Sequence, residues 1–287
     1  MRKGLMGLSL IVSMIASQTA ALAWGHTGHM VVAQIAHTQL NPKAAKRVDQ
    51  LVKLLKFRGR TYDRITLATM MDDFRSDPTK DSFKPWHFTD KPFFDGIPPF
   101  DIDEPAINAE ERINFIVAKL KSADKGTEEE EAQFVAYLFH IVGDIHQPLH
   151  ATTRFSPETP KGDQGGNLFL IKHPKKKLHS YWDAAGGFFN FQDVQRPLNK
   201  AGRQSITSFA NKSMTEYPTT RSEWKNMDVS QWVTESHDLA ESAAYKGIKR
   251  NTAPTATYQS KVQKVCRKRL AMAGYRLAAL LNEIYPE

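Results

Sequence analysis

The distribution of apolar and polar positions along the chain reads as helical nearly throughout. Asn41-Pro42 opens a helix in which Val48, Leu51, Val52 and Leu55 recur at the i, i+3, i+4, i+7 spacing of one buried face. A second stripe, Ile113, Ile116, Val117 and Leu120, follows Pro105, and a third starts near Glu128 with Phe134, Val135, Leu138, Phe139 and Val142. Pro148 ends the third, since it lacks the amide that a helix interior uses. Longer helical patterns cover about 228–247 and 256–284, the last marked by Val265, Leu270, Ala273, Leu277 and Leu281. Segments rich in Pro, Gly and Asp at 76–105 and 154–177 read as loops. No internal repeat or low-complexity linker divides the chain. The pattern predicts an all-α fold: a single mainly helical domain with long functional loops and at most a short β-hairpin.

The first residues follow a different pattern. Arg2 and Lys3 give a basic start, an apolar stretch runs from Leu5 to Ala16, and Ala21-Leu22-Ala23 is a small-x-small cleavage site. The stretch is short for a membrane span and is interrupted by Ser9 and Ser13, with Ser17 and Gln18 following. The expectation is a signal peptide over 1–23, cleavage after Ala23, and an exported mature chain of residues 24–287, periplasmic or secreted and free of the membrane.

Charge and cysteine content narrow the chemistry a little. The formal net charge is +8 over 287 residues and +6 once the two basic residues of 1–23 are removed. That suits a polyanionic substrate, an anionic lipid surface or plain solubility about equally. The run Lys172-His173-Pro174-Lys175-Lys176-Lys177 reads as a solvated loop before it reads as a nucleic-acid patch. Cys266 is the only cysteine, so an exported chain has no internal disulfide. A large core or bound metal must stabilise it instead, and any metal ligands must come from His, Asp and Glu.

The ten histidines are unevenly spread. His140-Ile141-Val142-Gly143-Asp144-Ile145-His146-Gln147-Pro148-Leu149-His150 puts three of them, with one Asp, in eleven positions. On a helix His140 and Asp144 lie one turn apart on one face and can reach one cation. His150 follows the helix-ending proline and can turn toward a neighbouring ion. His179 and Asp183 repeat the i, i+4 spacing, which alone is an ordinary helix pair but beside the first segment supplies further ligands. Asp72, Asp73 and His87 add donors from elsewhere. Cleavage after Ala23 would expose an α-amino group at Trp24, whose nitrogen and carbonyl oxygen can chelate a cation. Periodicity cannot separate that role from an ordinary aromatic beside a cleavage site.

Taken together, WGHTGH, ATMMDDFR, PWHF, HIVGDIHQPLH, GGN and LHSYWD resemble the motifs of the secreted zinc nucleases of the S-one/P-one type, in order from Trp24 to Asp183. The resemblance implies the phospholipase C/zinc nuclease fold, with long loops around a trinuclear metal site. It implies three Zn²⁺ ions: one held by Asp72, His87, His140 and Asp144, one by the Trp24 amine and carbonyl with His29 and a shared Asp144, and one by His150, His179 and Asp183. Asp73 is the rival of Asp72, and the motif favours Asp72. Ligand type alone would also admit manganese or iron. Arg75 resembles the basic residue on the scissile phosphate, Phe88 the aromatic on which a base stacks, and Asn167 the residue at a base edge. Asp72, Arg75 and Asp144 are thereby the catalytic set.

The implied activity is that of a metal-dependent endonuclease. It hydrolyses single-stranded RNA and DNA with a metal-activated water, leaves 5′-phosphates and acts as a monomer; cleavage of 3′-nucleotides stays open. Three features depart from the family: Met70 stands in place of a tryptophan, the eukaryotic disulfides are missing, and His26 and His146 match no ligand. His146 reads as a structural residue. A phospholipase C-type enzyme is the nearest alternative, but its first His lies further from the Trp and its last carboxylate is Glu. A zinc-storage protein would have no use for Arg75, Phe88 and Asn167 around the ions.

Overall fold

In the computed structural model, residues 24–96 and 107–287 are described; the leader expected at 1–23 and residues 97–106 lie outside them. Nine α-helices are defined among the described residues: α1 His26–His37, α2 Pro42–Leu51, α3 Met70–Asp73, α4 Ala109–Lys121, α5 Glu128–Ile145, α6 Leu178–Asp183, α7 Lys200–Glu216, α8 Val229–Leu239 and α9 Ala256–Ile284. Two small β pairs accompany them. Strands β1 Lys56–Phe57 and β2 Arg60–Thr61 form a hairpin, and β3 Pro92–Phe94 pairs in parallel with β4 Thr153–Phe155. The mainly helical single domain stands as expected, with the parallel pair added to the hairpin.

Helix α5 is the axis. Thr127 and Glu130 form a capping box, with Glu130 N donating to Thr127 Oγ1 at 3.2 Å and Thr127 N to Glu130 Oε2 at 2.8 Å. Four glutamates in its first turn complement the helix dipole. From Val135 to Ile145 every residue is buried, so this half of the helix is surrounded on all sides. Helices α1, α4 and α9 pack around it, and α1 also lies against α7 and α9. Gly274 of α9 lets α1 come close, since a Cβ there would collide with Ile35. The core runs through all of these, and Cys266 is buried in it as a free thiol.

Helix ends follow local chemistry. Asn41, Asn108, Asn199, Asp228 and Thr255 each cap a first turn by accepting a backbone amide. The stripe expected from Val48 to Leu55 continues past α2 as a 3₁₀ turn at Val52–Leu54, and the pattern at 228–247 passes from α8 into a π turn at Ala240–Ala244. The parallel pair matters most for function. It ties the segment after His87 to the segment after His150, helped by Thr89 N donating to His150 O at 2.8 Å.

Candidate metal centre

Three clusters of buried His and Asp side chains lie at the C-terminal end of α5. Their donor atoms group as His29–His140–Asp144, Asp72–His87–His140 and His150–His179–Asp183. All nine ligands named from sequence are buried, Trp24 included, and eight of them contribute side-chain donors to these groups.

The first two groups share His140 and meet at Asp144. His140 Nδ1 lies 2.7 Å from the Ala68 carbonyl, which turns Nε2 inward. That Nε2 is 3.2 Å from Asp144 Oδ2, 4.0 Å from Asp72 Oδ1 and 2.9 Å from His87 Nδ1. His87, at the end of the 3₁₀ segment Pro78–His87, also brings its Nδ1 to 3.0 Å from Asp144 Oδ2. The other oxygen of Asp144 faces a different partner: Oδ1 is 3.1 Å from His29 Nε2. His29 stacks on His140 with ring centroids 3.9 Å apart, and neither of its buried nitrogens makes a hydrogen bond. One carboxylate thus serves two sets of imidazoles, one through each oxygen.

The third group is assembled more locally. His179 and Asp183 share one face of α6, and His150 ends the 3₁₀ turn Pro148–His150. His150 Nδ1 is bound by the His87 carbonyl and His179 Nδ1 by the Gly165 carbonyl, each at 2.7 Å. Their Nε2 atoms then face each other at 3.0 Å, with Asp183 Oδ1 3.9 Å from His150 and Oδ2 3.6 Å from His179. Gln147 Nε2 donates to Asp183 Oδ1 at 2.8 Å.

These arrangements fit cations. A neutral imidazole whose Nδ1–H is given to a carbonyl has only a lone pair at Nε2, and two such lone pairs at 3.0 Å repel unless a proton or cation lies between them. Ligand bonds of about 2.0–2.1 Å at tetrahedral angles give edges of roughly 3.3 Å, the scale of the separations seen. Asp72 Oδ2, Asp144 Oδ1 and Asp183 Oδ2 are buried without hydrogen-bond partners, a costly state for carboxylates unless an ion completes them. Burial pushes the Asp144 carboxyl up to about 6 against the opposing pull of His140, and it raises Asp183 well above the usual carboxylate range. Burial, then neighbouring imidazoles, hold His29, His87 and His150 well below the usual histidine value, so they stay neutral and able to ligate. His140 resists the same burial because Asp144 and Asp72 raise it. The donors are N and O only, a set that suits zinc.

Trp24 sits against the turn of α5 that carries the shared carboxylate. Its indole is fully buried and donates to the Gly143 carbonyl at 2.8 Å, while Gly25 N donates to the Asp183 carbonyl at 3.2 Å. Two glycines make the slot. A Cβ on Gly28 would lie 2.7 Å from Trp24 Cβ, and one on Gly143 would lie 3.0 Å from His29 Nδ1.

A pocket of about 350 Å³ opens between the clusters, with Arg75, Lys84, Phe88, Asp90, Gln164 and Asn167 on its wall around His87, His150 and His179. All three substrate residues named from sequence line it. Arg75 Nη2 is 3.2 Å from Asp72 Oδ1. Asn167 Nδ2 is held by the Gln164 carbonyl at 2.8 Å, and its Oδ1 is left without a partner. Gly165 turns the loop at φ +60°, where a Cβ would collide with the Leu149 carbonyl, and so brings its own carbonyl to His179.

Other sequence readings are resolved as well. Asp73 pairs with Arg196 Nη1 and Nη2 at 3.0 Å each and accepts from Tyr62 at 2.9 Å, away from the imidazoles. His146 binds Val142 O and Arg276 rather than a cluster. Met70 is core. Lys172–Lys177 form a turn closed by a Leu170↔Lys177 bridge, and none of them lines the pocket. Sequence reasoning missed Asp90, Lys84 and Gln147. Asp90 shares the side of Phe88 because the backbone at Phe88 is extended, which the structure shows and the loop-like sequence of 76–105 did not mark.

A family model described as S1/P1 nuclease matches residues 24–286. Nuclease S1 of Aspergillus oryzae is 28% identical, aligned over 94% of this chain and 96% of its own length. Endonuclease 4 of Arabidopsis thaliana is 24% identical over 92% of this chain and 90% of its own, and Endonuclease 5 of the same plant 32% identical over 52% and 50%.

Proposed function

We propose, from the premise that this chain belongs to the S1/P1 nuclease family and is a metal-dependent endonuclease, that it holds three zinc ions and cleaves single-stranded RNA and DNA to products bearing 5′-phosphates. The observation that carries the metal assignment is Asp144, with Oδ1 toward His29 and Oδ2 toward His87 and His140. Asp72, His87, His140 and Asp144 hold the first ion. The Trp24 amine and carbonyl, His29 and Asp144 hold the second; His150, His179 and Asp183 hold the third.

When bound, such ions supply Lewis acidity and an activated water near neutral pH. The chain's own groups do the rest. Arg75, on the pocket wall and paired with Asp72, offers a guanidinium to the phosphoryl oxygens as charge builds on them. Phe88 gives a face on which any base can stack, a contact worth roughly 1–3 kcal/mol and indifferent to sequence. Asn167, on the pocket wall, brings an amide to the edge of that base. A pocket of this kind takes a base out of its stack, which favours unpaired strands. A 3′-nucleotide presents the same base with a 3′-phosphomonoester in place of the diester, so it is assayed beside the single strands.

The same reading makes 1–23 a signal peptide and 24–287 the nuclease domain, exported to the periplasm or beyond. In support, the family match begins at Trp24, and no described helix is long and apolar enough to cross a membrane. The test compares protein starting at Trp24 with protein one residue longer, by elemental analysis and by assays on single-stranded RNA, single-stranded DNA, duplex DNA and 3′-nucleotides. The processed form should carry three zinc equivalents and cleave single strands fastest. The longer form should lose one equivalent and most activity. Full metal content and activity in the longer form would overturn the Trp24 assignment, and a metal-loaded processed form that prefers duplex would overturn the substrate.

A further inference from the structure

One group of buried charges plays no part in the site as described. Arg269 and Arg276 of α9 are 1% and 0% exposed, a rare place for guanidinium groups. They share one carboxylate: Glu235 of α8 accepts from Arg269 Nη1 at 2.6 Å and from Arg276 Nη1 and Nη2 at 2.7 Å each. Their other donors include several that reach the turn ending α5. Arg269 Nε donates to the His146 carbonyl at 3.1 Å, and Arg269 Nη2 to Ser236 Oγ at 2.7 Å, while that hydroxyl donates to the Ile145 carbonyl at 2.5 Å. Arg276 Nη1 donates to His146 Nε2 at 2.9 Å.

His146 completes the link. Its Nδ1 lies 2.8 Å from the Val142 carbonyl and so carries the proton, which leaves Nε2 to accept from Arg276. The turn at 145–147 is thereby gripped through two carbonyls and a ring. The next side chain is Gln147, fully buried, which donates to Asp183 Oδ1 at 2.8 Å and accepts from Leu149 N at 2.6 Å. Two buried cations on one carboxylate are a poor device for stability alone, because desolvation offsets most of the attraction. Their geometry has a more specific effect: it fixes where Gln147 stands.

We infer that Arg269, Arg276 and Glu235 are positioning residues for the third cluster, acting through His146 and Gln147 to hold the Asp183 carboxylate between His150 and His179. The inference rests on the proposal that this cluster holds a metal ion.

The test uses processed full-length protein dialysed against a chelator-buffered zinc series, with zinc content and Tm read for wild type, Arg276→Met, Arg276→Lys and Gln147→Leu. Arg276→Met and Gln147→Leu should release one equivalent at free zinc about 10–100-fold higher than wild type, the usual effect of losing a group that orients a ligand, with the other two held as before. Arg276→Lys keeps the charge but lacks the planar fork and should fall between. Parallel loss of all three equivalents, or a lowered Tm with unchanged release, would overturn the inference. If Arg276→Met does not fold, the Lys and Gln147 variants decide by the same criteria. Wild type that never binds a third equivalent would sink the three-ion proposal, and this inference with it.

Discussion

The paired clusters around Asp144 and the single cluster around Asp183 use the same residue types in opposite ways. Around Asp144 the charges are balanced and the geometry is loosely held. His140, Arg75 and two carboxylates answer one another, yet His29 has no hydrogen bond at either nitrogen and is kept in place by stacking and by the Trp24 slot. Around Asp183 the geometry is held and the charges are not. Both imidazoles are tied to carbonyls and the carboxylate to Gln147, but among the described residues the ion-pair partners of Asp183 are the two imidazoles, with no Lys or Arg. Four stretches of chain converge on Asp144, so its ligands need ions to complete their order. The third cluster is already ordered by hydrogen bonds to two carbonyls and to Gln147, so an ion there would chiefly answer charge.

The largest expected effect separates the two carboxylates. Asp144→Asn removes a donor that faces both neighbouring groups, so it should cost two metal equivalents and at least about 10³-fold in activity, several kcal/mol of transition-state stabilisation. Asp183→Asn should cost one equivalent and leave the other two in place. Metal content and single-turnover rates on a short single-stranded DNA check both. Equal losses in the two variants would erase the distinction, and substantial activity in Asp144→Asn with full metal content would remove its bridging role.

The sequence revealed the same part of each region, for a physical reason. An i, i+4 His/Asp pair on a helix is visible in one dimension, and both His140–Asp144 and His179–Asp183 were read that way. What joins them is not local: Ala68 O orienting His140, Asp144 splitting its oxygens, and Gln147 bridging to Asp183 all depend on the packed fold. The helices show the same division. The pattern at 256–284 matches α9 from Ala256 to Ile284, where a buried face recurs over many turns. Helix α1 was not read as a helix, because nine of its twelve residues are buried and no polar face marks a period. Helix α7 was missed for the converse reason: only Ile206, Ala210 and Ser213 are buried along it.

Acidification offers a second way to sharpen the contrast. A ligand binds metal only when deprotonated, so a carboxyl whose pKa is raised begins to release its ion at a higher pH. Burial raises Asp183 well above the carboxylate range with Gln147 the main group opposing it, whereas His140 opposes the same effect at Asp144 and holds it to about 6. The third equivalent should therefore leave first as pH falls, its affinity dropping roughly tenfold per pH unit once Asp183 competes for protons. Zinc retained against a chelator from pH 7 to 4 measures the order. Release of the Asp144 ions first would reverse the electrostatic half of the comparison.

The smallest expected effect concerns His26, which borders the paired clusters but stands outside the ligand set. Its Nε2 is 3.7 Å from Asp72 Oδ2 and 3.1 Å from Arg196 Nη2, and a quarter of its side chain is exposed. Burial lowers its pKa although Asp72 pulls the other way, so near neutral pH it offers Asp72 little charge. A contact of that kind is worth up to about 1 kcal/mol, or roughly fivefold in rate if all of it were felt at the reacting centre. His26→Asn should thus leave metal content unchanged and alter kcat/KM on single-stranded DNA by less than that factor. A tenfold loss, or loss of an equivalent, would show that the paired clusters are held by one more imidazole than the three that surround Asp144, and that their geometry is less loosely fixed than stacking and the Trp24 slot make it.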